Sequence, residues 1–265
     1  MSVSLPVPSR RGSLVAAALL STGMLLSGCA GAPSPAADGA GRTAADGGSH
    51  AGKSAPRPLA ARAEVPAAPQ EIPSLGPHTR GQIPDSADQA VVVTGEGHDT
   101  SRSTVVLYTR DPDKGWQQAG DPWSAHNALN GWSEHHRVGD LRSPEGVFGL
   151  TDAGGRRADP GTRLPYDRGP GFVAHGTGFK GESLAGAFDY VVAINYNRKP
   201  GTTPLDWTRP LGAGRGGGIW FHVDHGGPTH GCVSLSESRM KQLLRWLDPA
   251  KKPVVVMGDA ATLQK

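Results

Sequence analysis

The stretch from Gly216 to Ser236 reads GGGIWFHVDHGGPTHGCVSLS and is the most informative part of the chain for predicting its fold. Its apolar run from residue 218 to residue 223 predicts a buried strand that carries His222 near its end. Nine residues, three glycines and a proline among them, then separate His222 from Cys232. Such a composition is typical of a return loop, so strand and loop together can place an imidazole against a thiol.

The segment after this loop predicts the one convincing helix, over residues 236–247. Its apolar residues follow the spacing i, i+3, i+4, i+7, which makes a single apolar face: Met240, Leu243, Leu244 and Leu247. Ser234 or Ser236 can cap the start of this helix, and Asp248-Pro249 ends it.

The remaining regular structure is expected to be strands. β-type runs, some of them short, occur at 90–94, 104–108, 115–118, 123–129, 142–150, 188–195 and 254–257. We therefore predict a mainly β, sandwich-like single domain over residues 87–265, with the late amphipathic helix packed on it.

Composition excludes several classes of protein. Lys and Arg number 27 against 24 Asp and Glu, a near-balance that offers no basic face for nucleic acid. Only two cysteines are present, too few for a disulfide scaffold or a four-cysteine metal site.

The N-terminal third indicates export and a lipid anchor. Residues 1–28 have a positive start at Arg10 and Arg11 and then an apolar stretch, as signal peptides do. They end in Leu26-Ser-Gly-Cys29, which resembles the bacterial lipobox, so Cys29 is the expected lipidation site. Residues 29–86 are expected to form a tether, because 29 of the 40 residues from Ala30 to Pro69 are Ala, Gly, Pro or Ser.

Lipidation of Cys29 would leave Cys232 as the only thiol of the mature chain, so no intramolecular disulfide could use it. Pairing with His222 is the common way to activate such a thiol, and a neighbouring imidazole is expected to depress the thiol pKa. Gly231 permits close approach of the backbone, and amides around Cys232 could donate to an oxyanion. The interval from His222 to Cys232 is short, which leaves His225 as an alternative base.

Three segments resemble one known family. Thr229-His-Gly-Cys232 resembles the [Ser/Thr]-His-Gly-Cys signature of the L,D-transpeptidase catalytic domain, or YkuD-like, family, whose members carry an upstream His as His222 does here. Arg142-Ser-Pro-Glu-Gly-Val-Phe-Gly-Leu150 resembles the family's "R-[ST]-P-x-G-x-[FY]" segment, and residues 245–256 are similar to the tail of one branch. The resemblance covers about residues 88–258.

The resemblance implies a cysteine acyl transferase that acts on stem peptides of bacterial peptidoglycan. Cys232 would attack the residue before the terminal D-Ala of a tetrapeptide, His222 would transfer the proton, and an amine of a second stem would take the acyl group to give a 3–3 cross-link. His230 would shape the oxyanion loop or orient substrate, with His175, Thr229 and Ser234 as further substrate contacts. The resemblance also implies sensitivity to carbapenems and no metal or organic cofactor.

Three alternatives stay open. Water as acceptor would make the protein an L,D-carboxypeptidase, and a lipid-anchored wall-binding module would keep the fold without the activity. The third is a zinc hydrolase, for which His222, His225 and either His230 or Cys232 have the right ligand types. The expected setting is a monomer anchored on the outer face of the cytoplasmic membrane, facing the cell wall. His135 and His136 are interpreted as exposed loop residues.

Overall fold

Strands make up most of the regular structure in residues 70–265, the part of the chain that this computed structural model describes. The strands there are Gln89–Gly95 (β1), Arg102–Asp111 (β2), Gly115–Gln118 (β3), Trp123–His126 (β4), Trp132–Ser133 (β5), Ser143–Pro144 (β6), Gly146–Gly155 (β7), Tyr166–Arg168 (β8), Val191–Ile194 (β9), Trp220–Val223 (β10), Val233–Leu235 (β11) and Val254–Asp259 (β12). The α-helices there are Pro77–Arg80 (α1), Glu237–Trp246 (α2) and Ala260–Leu263 (α3). The prediction of a mainly β fold with a late helix is confirmed.

The main sheet closes on itself. Its order is β1-β12-β7-β9-β10-β11-β4-β2, and β2 then pairs with β1 to complete the ring, while β3 and β8 attach to its rim. Most neighbours are antiparallel, but β1–β12 and β10–β11 are parallel pairs. The second parallel pair matters for the site, because it brings Cys232 back beside the strand that carries His222.

The interior of the ring is filled by apolar side chains that alternate along the strands, and by α2. Met240, Leu243, Leu244 and Leu247 are all fully buried in the main core cluster, together with Phe221 of β10. Burial of each such side chain stabilises the fold by about 1.5–3 kcal/mol. The Ser236 hydroxyl accepts a hydrogen bond from the Arg239 amide, so Ser236 is the N-cap and the predicted helix is confirmed within one residue at each end.

A second apolar cluster on the outside of the ring corrects the predicted domain boundary. Ile72, Leu75 and Ile83 are buried there against Val92 of β1 and Val256 of β12. The Gly76 amide also donates to the carbonyl of Leu263 at 2.8 Å. Residues 70–86 are therefore part of the domain and not of the tether. Sequence reasoning missed them because three isolated apolar residues give no helical or strand period.

The expectations for residues 1–69, including the signal peptide, Cys29 and most of the tether, lie outside the described residues. Between residues 70 and 265, no helix is both long and apolar enough to cross a membrane.

Candidate active site

Parallel pairing of β10 and β11 brings the predicted thiol and imidazole to one face of the sheet. His222 is in register with Ser234, and Phe221 with Val233. Side chains alternate along a strand, so Cys232 lies on the same face as Ser234, which follows it by two residues. Cys232 is therefore on the same face as His222 and two residues out of register with it. A third apolar cluster supports this placement, since it contains Trp220, Phe188 and Cys232, and the Phe188 ring also contacts that of His222 at 5.5 Å between centroids.

His222 is held as a neutral imidazole. Its side chain is buried, and its Nδ1 lies 2.9 Å from the carbonyl oxygen of Val223. A carbonyl can only accept, so Nδ1 carries the proton and Nε2 is left as the acceptor. Burial lowers the pKa of His222 to about 4, and the neighbouring His225 acts in the same direction. The imidazole is therefore uncharged near neutral pH and ready to take a proton.

Cys232 rests as a thiol and not as a thiolate. Its Sγ accepts from the Trp220 amide at 3.4 Å and lies 3.6 Å from the Gly218 carbonyl oxygen. Enclosure among apolar neighbours raises the pKa of the Cys232 thiol to about 11, and the Trp220 amide offsets only part of this rise. The expectation that a neighbouring imidazole depresses this pKa is wrong for the resting structure, because the imidazole is itself neutral.

Thr229 fixes the turn that presents the thiol. It is 3% exposed, and its Oγ1 donates to the Cys232 carbonyl at 2.7 Å while accepting from the Gly231 amide at 3.3 Å. Both bonds lie within the loop, so the Thr229 hydroxyl holds the turn, and its contact with substrate stays a prediction. The Gly231 amide is likewise engaged inside the loop. A Cβ at Gly231 would lie 2.9 Å from the Ile219 side chain, so the glycine allows close packing there.

Ser234 holds the end of the neighbouring strand instead of facing substrate. It is fully buried, and its hydroxyl donates to Asp224 Oδ1 at 2.7 Å. The same oxygen lies 2.9 Å from Nδ1 of His126 in β4. Although burial raises the pKa of Asp224, the hydrogen bonds from Ser234 and His126 outweigh it and hold that pKa below its usual range. This group ties β4, β10 and β11 together directly behind His222.

A short hairpin, residues 176–184, lies against the loop of residues 224–232, which leads to Cys232. We call the first the covering hairpin and the second the catalytic loop. It is joined by a bridge between Thr177 and Ser183. Glu182 Oε1 lies 3.1 Å from His225 Nδ1, and the Phe179 ring lies 4.6 Å from that of the exposed His230. A carboxylate can only accept, so Nδ1 of His225 carries a proton, as Nδ1 of His222 does.

Comparison with models of known protein families identifies the family of the domain. The family model of the L,D-transpeptidase catalytic domain (YkuD) matches residues 89–256. The chain belongs to this family. No curated protein matches the chain, and no solved structure matches it. The match spans β1 to β12 and so includes the catalytic loop, the covering hairpin and the buried group around Ser234.

Family membership makes the chain an L,D-transpeptidase-type enzyme that acts on peptidoglycan peptides.

Two histidines remain to be placed within this L,D-transpeptidase domain. His175 is exposed immediately before the covering hairpin. His136, expected to be exposed, is buried at 4% exposure, with its ring edge-on to Tyr196 at 5.3 Å and close to the position of Gly231. Sequence carried no signal for this burial, because the segment around His136 has no apolar period.

The histidines of the loop do not converge on a metal position. The rings of His222 and His225 are stacked, with centroids 5.7 Å apart and an angle of 9° between their planes, so they lie face to face. Each Nδ1 already faces an oxygen of the protein. Among residues 70–265, no group of three or more His, Cys, Asp or Glu side chains is arranged to hold a metal ion.

Proposed function

We propose that this L,D-transpeptidase domain uses Cys232 as its nucleophile and His222 as its proton carrier. The observation that carries the proposal is their placement on one sheet face, with Nδ1 of His222 locked onto the Val223 carbonyl. That lock turns Nε2 into the acceptor, as a general base requires. The carboxylate of Glu182 leaves Nε2 of His225 as an acceptor too, so the choice of His222 rests on its place in β10, on the sheet face that Cys232 shares.

The proposed first step cleaves the bond before the terminal D-Ala of a stem tetrapeptide. Sγ of Cys232 attacks the carbonyl carbon of the third residue, a diamino acid, while Nε2 of His222 removes the thiol proton. The bond from that carbon to the D-Ala nitrogen then breaks, and His222 returns the proton to the leaving amine. The product is a thioester on Cys232 and free D-Ala.

In the proposed second step, the side-chain amine of another stem attacks the thioester. An amide forms, the carbon–sulfur bond breaks, and the proton lost by the amine restores the Cys232 thiol through His222. The result is a 3–3 cross-link. Water in place of the amine would release the shortened stem, which is L,D-carboxypeptidase activity.

Before substrate binds, the Cys232 thiol and the His222 imidazole are both uncharged, and this determines when the proton moves. With the pKa of Cys232 at about 11 and that of His222 at about 4, separated charges are not populated near neutral pH. Proton transfer to His222 therefore accompanies attack on the carbonyl and does not precede it. We expect the thiol to react with a positioned substrate much faster than with a small unpositioned electrophile.

The experiment incubates the full chain with purified tetrapeptide stems and follows D-Ala release and dimer formation by mass spectrometry. Cys232→Ala should abolish both products, and His222→Ala should slow them about 10²–10⁴-fold, the usual contribution of a general base. His98→Ala is the matched control, because the side chain of His98 is more than half exposed and its Nδ1 faces Asp99 and not the Cys232 thiol. A larger loss in His225→Ala than in His222→Ala would overturn the base assignment.

Product analysis also separates the alternatives. D-Ala release without dimers would identify a carboxypeptidase. No release from the wild type, together with retained binding to peptidoglycan, would identify a wall-binding module. Inhibition of a hydrolytic activity by a chelator would favour the zinc hydrolase.

We also propose that the mature chain begins at a lipidated Cys29 and is held on the outer face of the cytoplasmic membrane. The support is the Leu26-Ser-Gly-Cys29 motif after an apolar stretch. The mass of the N-terminal peptide from the membrane fraction tests this. An unmodified N-terminus at another residue would overturn it.

A further inference from the structure

An exposed aromatic and cationic surface lies beside the strand that carries His222. Trp207 is 70% exposed and Leu211 is 62% exposed, which is unusual for side chains of this size. Between them, the guanidinium of Arg209 lies over the Trp207 ring at 4.6 Å from its centroid. Such stacking holds the planar guanidinium flat and limits its rotation.

Arg209 rests on the bare backbone of Gly217 and Gly218, and Gly218 also contacts the thiol. A Cβ at Gly217 would overlap Arg209 Nε, and one at Gly218 would lie 3.5 Å from Arg209 Nη2. Both glycines also have positive φ, of 140° and 69°, which other residues rarely adopt. The carbonyl oxygen of Gly218 lies 3.6 Å from Cys232 Sγ. The guanidinium and the thiol therefore flank the same residue.

No carboxylate of residues 70–265 lies within ion-pair distance of Arg209, although the charge of Asp206 acts on it from further away. Its Nη1 donates only to the carbonyl oxygens of Asp206, at 3.2 Å, and Thr208, at 3.0 Å. By contrast, Arg142 is paired with Asp99 at 2.7 Å. Partial burial lowers the pKa of Arg209, which reflects the cost of holding this cation away from water. A bound carboxylate would offset that cost through charge-assisted hydrogen bonds.

We propose that Arg209, held flat by Trp207, binds the terminal carboxylate of the peptide whose adjoining bond Cys232 attacks. This inference rests on the proposed function. In a stem tetrapeptide, one residue separates the attacked carbonyl from the terminal carboxylate, a reach of about 3.5 Å. A cation one residue away from the thiol fits that spacing. Ser234, the substrate contact expected from the sequence, is fully buried and leaves this role open.

The test compares two acyl donors, the tetrapeptide with a free terminal carboxylate and the same peptide as its terminal amide. We expect wild-type kcat/KM for D-Ala or D-alaninamide release to favour the carboxylate by about 10- to 100-fold, as charge-assisted hydrogen bonds would give. Arg209→Gln should remove most of this preference, and Arg209→Lys should keep part of it. Arg110→Gln is the matched control, because Arg110 stacks on Trp116 at the same 4.6 Å.

The ratio between the two peptides separates the possible results, because damage to the fold lowers both rates equally. Collapse of the ratio in Arg209→Gln, with the wild-type ratio kept in Arg110→Gln, supports the inference. A wild-type ratio in Arg209→Gln overturns it while leaving the proposed function intact. Failure of the wild type to release D-Ala overturns the proposed function and this inference together.

Discussion

Replacement of Thr229 by valine tests how the catalytic loop is held. Valine keeps the shape and the β-branch of threonine but removes the hydroxyl. The Cys232 carbonyl then loses its 2.7 Å donor, and the Gly231 amide loses its 3.3 Å acceptor. The carbonyl keeps only a long contact of 3.4 Å from Ser143 Oγ.

The expected magnitude follows from the Gly231 amide, which loses its partner, and from the Cys232 carbonyl, which keeps the long contact from Ser143. A buried polar group that loses its hydrogen bond costs about 1–3 kcal/mol, so we expect Thr229→Val to reduce the free energy of unfolding by about 2 kcal/mol. At this domain size, that lowers Tm by roughly 4–8 °C. Release of the turn also displaces the thiol, and a shift of about 1 Å can cost about 100-fold in rate.

Thermal unfolding and the rate of acylation by a carbapenem measure both effects. Thr229→Ser keeps the hydroxyl and should stay close to the wild type in each assay. Thr100→Val controls for the substitution itself, because the Thr100 hydroxyl makes only an exposed hydrogen bond to Gly97. A wild-type Tm and rate in Thr229→Val, or equal damage in Thr229→Ser, would refute this account of the loop.

Three further predictions concern charge and pH. Because burial raises the pKa of Cys232 to about 11, its alkylation by iodoacetamide should keep accelerating as pH rises to 10, and a plateau near pH 6 would reveal a resting thiolate instead. The pKa of Glu145 is raised from 4.5 to about 7, chiefly by burial, so the native state holds a proton that the unfolded state has lost, and it loses stability as pH rises from 4.5 through 7. Glu145→Gln should therefore be more stable than the wild type at pH 8, by about 1 kcal/mol after allowance for partial exposure, and equal to it at pH 4. Denaturant titration at the two pH values measures this difference. Glu182→Gln should weaken the contact to His225 and speed hydrogen exchange across the covering hairpin, whereas Glu96→Gln, which removes an exposed ion pair, should not; unchanged exchange in Glu182→Gln would contradict the role given to that contact.

Much of the fold could be predicted because its signals are periodic. The helix over Glu237–Trp246 has a clear apolar face and a serine cap, and both are present. The strand predicted at 188–195 is shorter, Val191–Ile194, because Ala187 and Asp189 bond back into a turn. Closure of the ring also depends on the parallel pairing of β1 with β12, which are distant in sequence, and no local pattern encodes that pairing.

Residue type pointed to the candidate site, whereas the burial of its residues depends on the fold and could not be predicted. A lone thiol near a histidine on a strand pointed to Cys232 and His222, and parallel pairing places them together. Thr229 and Ser234 were expected to contact substrate because they are polar residues near the candidate nucleophile; in the structure both are buried and bond to the protein. The thiol pKa could not be inferred, since it depends on apolar neighbours such as Trp220 that the fold brings in.

Covalent labelling tests the central claim most directly. The full chain is incubated with a carbapenem, its intact mass is measured over time, and the labelled peptide is mapped. The account predicts one adduct per chain, on Cys232, absent from Cys232→Ala and formed about 10²–10⁴-fold more slowly in His222→Ala. An adduct that persists in Cys232→Ala, or that maps to another residue, would contradict it.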